Sequence, residues 1–478
     1  MIDRKQDHTA GEGIFTAQKA WQVVALMGFF LLGQVSTPAF SGEALTFPQA
    51  LDMMVSRNES VLSAASEVEQ KEYEAKATRG LNFPEVTLSG QFVRINDVID
   101  LDLNPIRDVI LALHPAVPSA AVPLFHETVQ EDTFFKSQLN VTWPVYTGGK
   151  ISAAQRAADA GVRESAAKLD QTRDTLTSEL VKFYYAVRLA DQVYQIRREV
   201  VDALDQHVFQ ARRLQEEGFI ARTEVLHAQV AQARAERERK ASLRDLDLAK
   251  IALANILAAK NPVIPVSPLF LLPSVDPEAA FIRQARDHHP AIARIEAVRD
   301  RAGENLKAAR SERYPTVYLF GTRELYENDL TVLDPAWSIG AGVNVTLFDG
   351  GARAGKIAAA RNIENQAELM QRKLARDLET LVSSRYQEMM KASEQYDSLQ
   401  SSVDLAKENI RARNRSFEEG LATSLDVVDA QLSLSETRVE RLLAAYNFDV
   451  ALARLLEACG RGTKFPQYLA GNMMEVEH

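Results

Sequence analysis

A mainly helical chain with a smaller β-strand portion, laid out as two copies of one pattern, is the expectation this sequence sets up. Three observations carry it. Segments echo one another at fixed spacing. Helical stretches run far longer than in ordinary domains. Four short stretches alternate apolar and polar residues. The echoes are specific. "NVTWPVYTGGK" (140–150) returns as "GVNVTLFDGGA" (342–352), and "EEGFIARTEVLHAQ" (216–229) returns as "EEGLATSLDVVDAQ" (418–431), both displaced by 202 residues. "GLNFPEVTLSG" and "SERYPTVYLFG" are displaced by 231 residues. A repeat of this size constrains architecture before any single residue does. The excess of 29 residues places an insertion in the first copy, between Pro84 and Gly148.

The chain opens on a targeting segment. Lys19 precedes an apolar run from Ala20 to Leu32, followed by Thr37, Pro38, Ala39, Phe40 and Ser41. This reads as a secretory signal over 1–41, cleaved near Ala39 or Ser41. The run is short for a spanning helix, which needs roughly 20 apolar residues. No later stretch is apolar enough to span a bilayer as a helix.

The first repeat, 42–259, then reads in order. A helix is expected over about 49–79, a strand over 85–94, a loop, and a strand over about 134–146 closed by Gly148 and Gly149. A helical pattern without proline follows from 150 to about 217, where Gly218 stops it. A further helix covers about 222–259. A proline-rich connector, 260–277, leads to the second repeat, 278–458, with a tail over 459–478. In that repeat helices are expected over about 278–310, 353–419 and 423–457, and strands over 316–325 and 337–348. Gly350 and Gly351 mark the strand-to-helix turn and Gly420 the helix stop. Each long helix has roughly 67 residues, so about 100 Å at 1.5 Å per residue. The short helices, laid end to end, match one long one. Ordinary domain helices run three or four turns.

The strands point in a second direction. Trp337, Ile339, Ala341, Val343, Val345 and Leu347 alternate with Ser338, Gly340, Gly342, Asn344, Thr346 and Phe348. Phe135, Leu139, Val141, Trp143 and Val145 alternate with Lys136, Gln138, Asn140 and Thr142. Such strands of about 10 residues suit a transmembrane barrel or one face of a soluble sandwich. Four strands cannot close a membrane barrel, whose minimum is about eight. If they cross a membrane, several chains must share one barrel.

Helix, strand, strand and long helix in duplicate, the twin "GG" turns and the twin "G…T…[DE]V…AQ" tips together resemble the TolC-like outer-membrane efflux protein family. The resemblance covers about 45–456; its motifs are weak singly, and their order, spacing and duplication make the match. It implies a homotrimer whose chains each give four strands to a shared twelve-stranded transmembrane β-barrel. A long periplasmic α-helical barrel continues it. It implies a Gram-negative outer-membrane location and a passive exit duct of a tripartite efflux or type I secretion system. The partners implied are a periplasmic adaptor and an inner-membrane pump.

The resemblance also assigns residues. Gly218 and Gly420 sit where a long helix reverses, the place of a left-handed residue past a helix end, with Thr223 or Thr423 near the next helix start. On their own these are structural. The family makes the tips a docking surface for the adaptor, with Gly218, Phe219, Thr223, Val225, Gly420, Leu421, Leu425 and Val427 as expected contacts. Asp426 and Asp429, three apart on one helix, share a face and read either as ordinary solvated acids or, through the family, as an acidic constriction at the tunnel entrance. Relatives latch that entrance with a tyrosine and an arginine. Phe417 and Ala422 stand there, so the latch must differ or weaken, or use neighbours such as Arg222 and Arg415. The insertion, 95–133, reads as a tolerated surface loop at the outer end of the barrel, or as a flap or docking site there.

Other readings lose on residues. A pI near 5.5 and a net charge of −10 argue against nucleic acid. The single cysteine, Cys459, excludes a disulfide framework or a cysteine metal cluster and reads as a small buried residue. Lys150 follows glycine, yet a phosphate loop would need glycine where Pro144 stands. His288 and His289 lack ligand-spaced partners. We therefore expect no catalysis, no cofactor and no metal site. The rival readings are a periplasmic coiled-coil adaptor, which would have no use for the strands, and a soluble secreted enzyme with a helical domain.

Overall fold

The computed structural model describes residues 43–331, 334–471 and 473–476, so the expected signal segment lies outside the described residues. In chain order the elements are β1 (Glu43–Leu45), α1 (Phe47–Arg57), α2 (Glu59–Gly80), β2 (Glu85–Arg94), β3 (Ile99–Asp102), α3 (Asn104–Leu113), β4 (His126–Gln130), β5 (Thr133–Tyr146), α4 (Lys150–Glu216) and α5 (Arg222–Ile256). There follow β6 (Val263–Pro265), β7 (Phe270–Leu271), α6 (Glu278–His288), α7 (Pro290–Ser311), β8 (Thr316–Glu324), β9 (Trp337–Asn344), α8 (Ala352–Glu418), α9 (Ser424–Ala458), α10 (Pro466–Leu469) and β10 (Met474–Glu475). The halves agree element for element. α1 and α6 have 11 residues each, α2 and α7 have 22, α4 and α8 have 67, and α5 and α9 have 35.

Four expectations are corrected. The first helix of each half is two helices. Asn58 adopts an extended backbone, caps α2 by accepting from Ser60 N–H, and donates to the Ile256 carbonyl at 2.9 Å. In the second half Pro290 forces His289 out of helix, and the His289 ring accepts from Ala291 N–H at 3.0 Å. The fourth strand stops at Asn344 rather than 348, because its neighbour begins only at Thr316, after Pro315. The insertion is folded: β3 and β4 pair antiparallel, and α3 carries Pro105 in its first turn. The connector is no free linker. β6 pairs parallel with β1, and β7 pairs antiparallel with β10.

The long helices form an antiparallel layer. α2 and α7 flank one half of α4, where Lys168 meets Glu67 at 2.6 Å and Arg163 meets Asp300 at 2.9 Å. α5 and α9 flank the other half, where Arg438 meets Glu199 at 2.6 Å. α8 packs on α6, α7 and α9. The core sits where the short helices meet end to end. Phe47, Tyr184, Tyr185, Phe270, Phe448 and Phe465 are fully buried there. The Tyr184 hydroxyl donates to the Leu45 carbonyl and accepts from Val266 and Ser267 N–H, at 2.8, 3.1 and 2.9 Å. It thereby ties the connector to α4. Cys459 is buried against the Phe281 carbonyl, and burial pushes its thiol up to about 12, so it is unreactive.

Four strands form one antiparallel sheet in the order β2-β5-β8-β9. The register puts Val86, Leu88 and Phe92 on the face of Leu139, Val141, Trp143, Leu319, Ile339 and Val343. This apolar face is bare, with Ile339 80% exposed. The opposite face carries Gln91, Gln138, Asn140, Thr142, Thr322, Ser338 and Asn344. Gln138 donates to Glu324 at 2.8 Å, and Thr322 and Ser338 share a 2.7 Å hydrogen bond. Tyr318 and Phe320 also lie on that face, their rings over Gly342 and Gly340. A Cβ on either glycine would lie 2.4 or 2.6 Å from a ring atom. Gly148 (φ +62°), Gly149 (+89°), Gly350 (+65°) and Gly351 (+90°) turn the sheet into α4 and α8 in left-handed conformations.

Candidate functional site

The two helical tips end α4 and α8 in the same way. Gly218 N–H donates to the Gln215 carbonyl and Phe219 N–H to Leu214, at 3.0 and 2.8 Å. Gly420 and Leu421 repeat this to Phe417 and Ser416, at 3.0 and 2.7 Å. Both glycines are left-handed, at φ +83° and +74°, so each tip is a Schellman stop. The starts of the next helices differ. Thr423 caps α9 in a reciprocal pair with Asp426, whose carboxylate accepts from Thr423 N–H at 2.9 Å and from its hydroxyl at 2.6 Å. The matching residue in the first half is Ala221, which has no oxygen to offer. Thr223 lies near the helix start as expected, inside the first turn of α5, and is not the cap.

The expected tip residues divide by exposure. Phe219 and Leu421 are 72% and 78% exposed, and Thr223 and Leu425 are exposed with them. Val225 and Val427 are buried among Ala211, Ile410, Phe417 and Ala430. They hold the two hairpins together and present no surface. Phe417 is also buried, with the ring of His207 4.7 Å from its own.

His207 is the residue that sequence reasoning missed. It is buried on α4, and its Nε2 shares a 2.6 Å hydrogen bond with the Ser424 hydroxyl at the start of α9. Ser424 N–H donates to Glu224 of α5 at 2.7 Å. One serine therefore joins both helices of the first hairpin to the second. Nδ1 of His207 has no partner among the described residues. A lone histidine within a 67-residue helix gives no sign of this in sequence, since its partner lies 217 residues away.

The two acids are unlike. The Thr423 hydroxyl, then Thr423 N–H, and more weakly Arg413 at 3.3 Å hold Asp426 below the usual carboxylate range. Arg413, rather than Arg415, reaches the acid. Asp429, one turn on, is exposed and has no partner among the described residues.

The geometry thus comprises a half-open sheet with one bare apolar face, a layer of helices about 100 Å long, and two paired tips. Against known families, the chain matches the outer membrane efflux protein model over residues 50–259 and 281–461. The chain belongs to the outer membrane efflux protein family. It is 27% identical over 375 residues to protein CyaE of Bordetella pertussis, covering 74% of this chain and 78% of that one. It is 25% identical over 324 residues to the cobalt-zinc-cadmium resistance protein CzcC of Cupriavidus metallidurans, covering 67% and 75%. Its fold is similar to that of the CmeC outer membrane channel of Campylobacter jejuni, with a TM-score of 0.69 at 16% identity over 87% and 86% of the two chains. This is a family of ducts and not of enzymes. The chain is an outer-membrane exit duct whose helices extend into the periplasm. That removes the adaptor and secreted-enzyme rivals. Among the described residues no helix is long and apolar enough to cross a membrane.

The tip joint should respond to acid. Burial holds His207 below its ordinary value of 6.5, against an opposing pull from Glu224. A histidine with a lowered folded-state pKa takes up its proton more readily once exposed. The joint is therefore fully stable above the ordinary value and loses stability as pH falls below it. Proteolytic nicking or hydrogen exchange at the tips should rise between about pH 7 and about pH 5. His207→Gln should flatten that rise. Tip protection that ignores pH across this window would remove His207 from the joint.

Proposed function

We propose that three copies of this chain close one twelve-stranded barrel and one helical tunnel, and that the tips receive a periplasmic adaptor linking the duct to an inner-membrane pump. The supporting observation is that every layer ends on unpaired edges drawn from different halves. The sheet ends in β2 and β9. The upper helical layer runs α2-α4-α7-α8, and the lower runs α5-α4-α9-α8. Edge helices keep apolar side chains exposed, among them Tyr73, Val230, Ile251, Met370 and Leu405. Unlike edges join head to tail, and such contacts close into rings. Two copies would give eight strands, whose interior side chains fill. Three give twelve and leave a passage.

The repeat predicts the register of the seam. β5 pairs with β8 through Thr142 and Phe320. Displaced by 202 and 231 residues, that pair becomes Asn344 of one copy and Ser89 of the next. Ser89→Cys with Asn344→Cys should give covalent dimers and trimers on oxidation. Ser89→Cys with Ser338→Cys should not, because those residues lie about 20 Å apart along the strands. A stable folded monomer in detergent would end the trimer reading.

Phe219, Leu421 and Leu425 offer the adaptor an apolar knob on each tip, set by Gly218, Gly420 and the nearby Thr223. Leu421→Glu and Phe219→Glu add charge at that contact, far from the barrel. Export in cells should fall to background while trimers still assemble. Normal export by both variants would clear the tips of a docking role.

Threefold assembly would also gather Asp426 and Asp429 into an acidic ring at the entrance, which attracts cations. Asp429, unpaired within the chain, should supply most of that field. In planar bilayers Asp429→Asn should cut the cation preference of the channel. Unchanged selectivity would leave Asp429 an ordinary solvated acid.

A further inference from the structure

The polar face of the sheet, which lines the passage in the proposed barrel, is built differently in the two halves. In the first half Thr87 stands opposite Asn140, and Ser89 opposite Gln138. The Asn140 amide donates to the Ser89 hydroxyl at 3.5 Å. The repeat displacements of 231 and 202 residues carry these pairs onto Tyr318 with Gly342 and Phe320 with Gly340, which the register also pairs. A hydroxyl beside an amide has become an aromatic ring over a glycine. A Cβ on Gly342 would lie 2.4 Å from the Tyr318 ring, and one on Gly340 would lie 2.6 Å from the Phe320 ring. Either arrangement covers the strands, so cover alone does not account for the rings.

The two rings form one pad. Their centroids are 6.2 Å apart at a 45° tilt, Phe320 is 37% exposed, and Tyr318 is half-buried. The other inward positions of β8 are Thr316, Thr322 and Glu324, so the pad breaks a polar row. The charge around it has one sign. Glu85 and Glu324 lie on the same face, opposite Thr142 and Gln138. Glu324 is 7% exposed, and its Oε2 has no partner among the described residues. Lys136, the positive side chain of that face, already meets Asp334 at 3.2 Å. The face of an aromatic ring is itself negative. Exposed rings among unpaired carboxylates suit a cation that carries an aromatic plane, which gains both cation–π attraction and stacking. An anion would gain neither.

We propose that Tyr318 and Phe320 form a contact site for aromatic cations inside the barrel, one on each of three walls. This rests on the trimeric reading. Aromatic pads then alternate around the passage with the hydroxyl and amide pairs of the first half. The pad stands at the strand end of α8, about 100 Å from Asp426 and Asp429 at the tips. A cation leaving the helical tunnel would meet rings here, where the tips offer it carboxylates.

The test uses full-length protein in planar bilayers, with the probe added on the barrel side. Methyl viologen, an aromatic dication, is compared with hexane-1,6-diammonium, an aliphatic dication whose charges stay hydrated. The viologen should block wild-type channels at about tenfold lower concentration. Acids at the tips would hold both dications through charge and give no such difference. One variant writes the first-half pairs into the second half: Tyr318→Thr with Gly342→Asn, and Phe320→Ser with Gly340→Gln. It should lose the difference while still assembling as trimers. Phe320→Leu keeps an apolar side chain over Gly340 and removes the ring. It should lose most of the difference, and it decides the matter if the fourfold variant does not assemble. Equal block of wild type by the two dications overturns the proposal. So does a difference that survives in Phe320→Leu and in the fourfold variant, which would leave the rings as cover for the glycines. Wild-type protein that forms no channel overturns the trimer instead.

Discussion

Hydrocarbon offers no partner to a backbone amide, so a strand in a membrane must have a neighbour on both sides. The sheet of this chain breaks that condition twice, at β2 and at β9. Its apolar face adds a second demand, because Trp143, Ile339 and Val343 have nothing inside the chain to cover them. In the proposed trimer lipid would satisfy the face, and further copies would satisfy the edges. Much else follows from this one deficit. The turns at Gly148 and Gly350 hand the strands to α4 and α8, so the ring of strands we propose would carry a ring of helices with it. The edge helices are accordingly the ones that keep Val230, Met370 and Leu405 exposed.

A ring of helices needs walls of even height. α4 and α8 meet that need as single helices of 67 residues. The other columns are spliced, and splices expose four helix ends to be satisfied. The core lies at those splices. Asn58 reaches across to the Ile256 carbonyl at 2.9 Å, which is near the last turn of α5. Tyr184 takes up the connector amides, and β1, β6, β7 and β10 form small ladders around the same point. The proline-rich connector is thus a girdle about the middle of the duct. Buried aromatic packing there holds helices that have little packing of their own elsewhere.

The parts of the fold that were legible in the sequence are those set by local pattern and by the repeat. The bounds of the long helices followed from an absence of proline and from Gly218 and Gly420. Strand positions followed from alternation. Three parts were hidden for physical reasons. The break at Asn58 depends on a carbonyl 198 residues away as well as on the local asparagine cap, and the cap alone does not announce it. The folded insertion is held by Arg107 donating to the Val122 and Ser119 carbonyls, at 2.9 and 2.8 Å, in a stretch that reads as a loop. At the tips the glycines were visible, whereas the burial of Val225 and Val427 and the role of His207 depend on how two distant hairpins pack. Composition could not show which polar groups meet.

The tips also show why a missing residue pair does not imply a missing function. The family resemblance implies a tyrosine and an arginine where this chain has Phe417 and Ala422. Here Phe417 is buried under His207, and Ala422 packs against the same apolar cluster. Ala422 is half-buried at the edge of that cluster, so a guanidinium at 422 would have to turn outward to keep its charge in water. The apolar pair therefore suits a joint whose polarity has moved elsewhere, to His207, Ser424 and Glu224. A hydrogen bond to neutral imidazole in a dry site is stronger than an exposed ion pair and insensitive to salt. The joint at His207, Ser424 and Glu224 is therefore one that acid, rather than salt, should loosen.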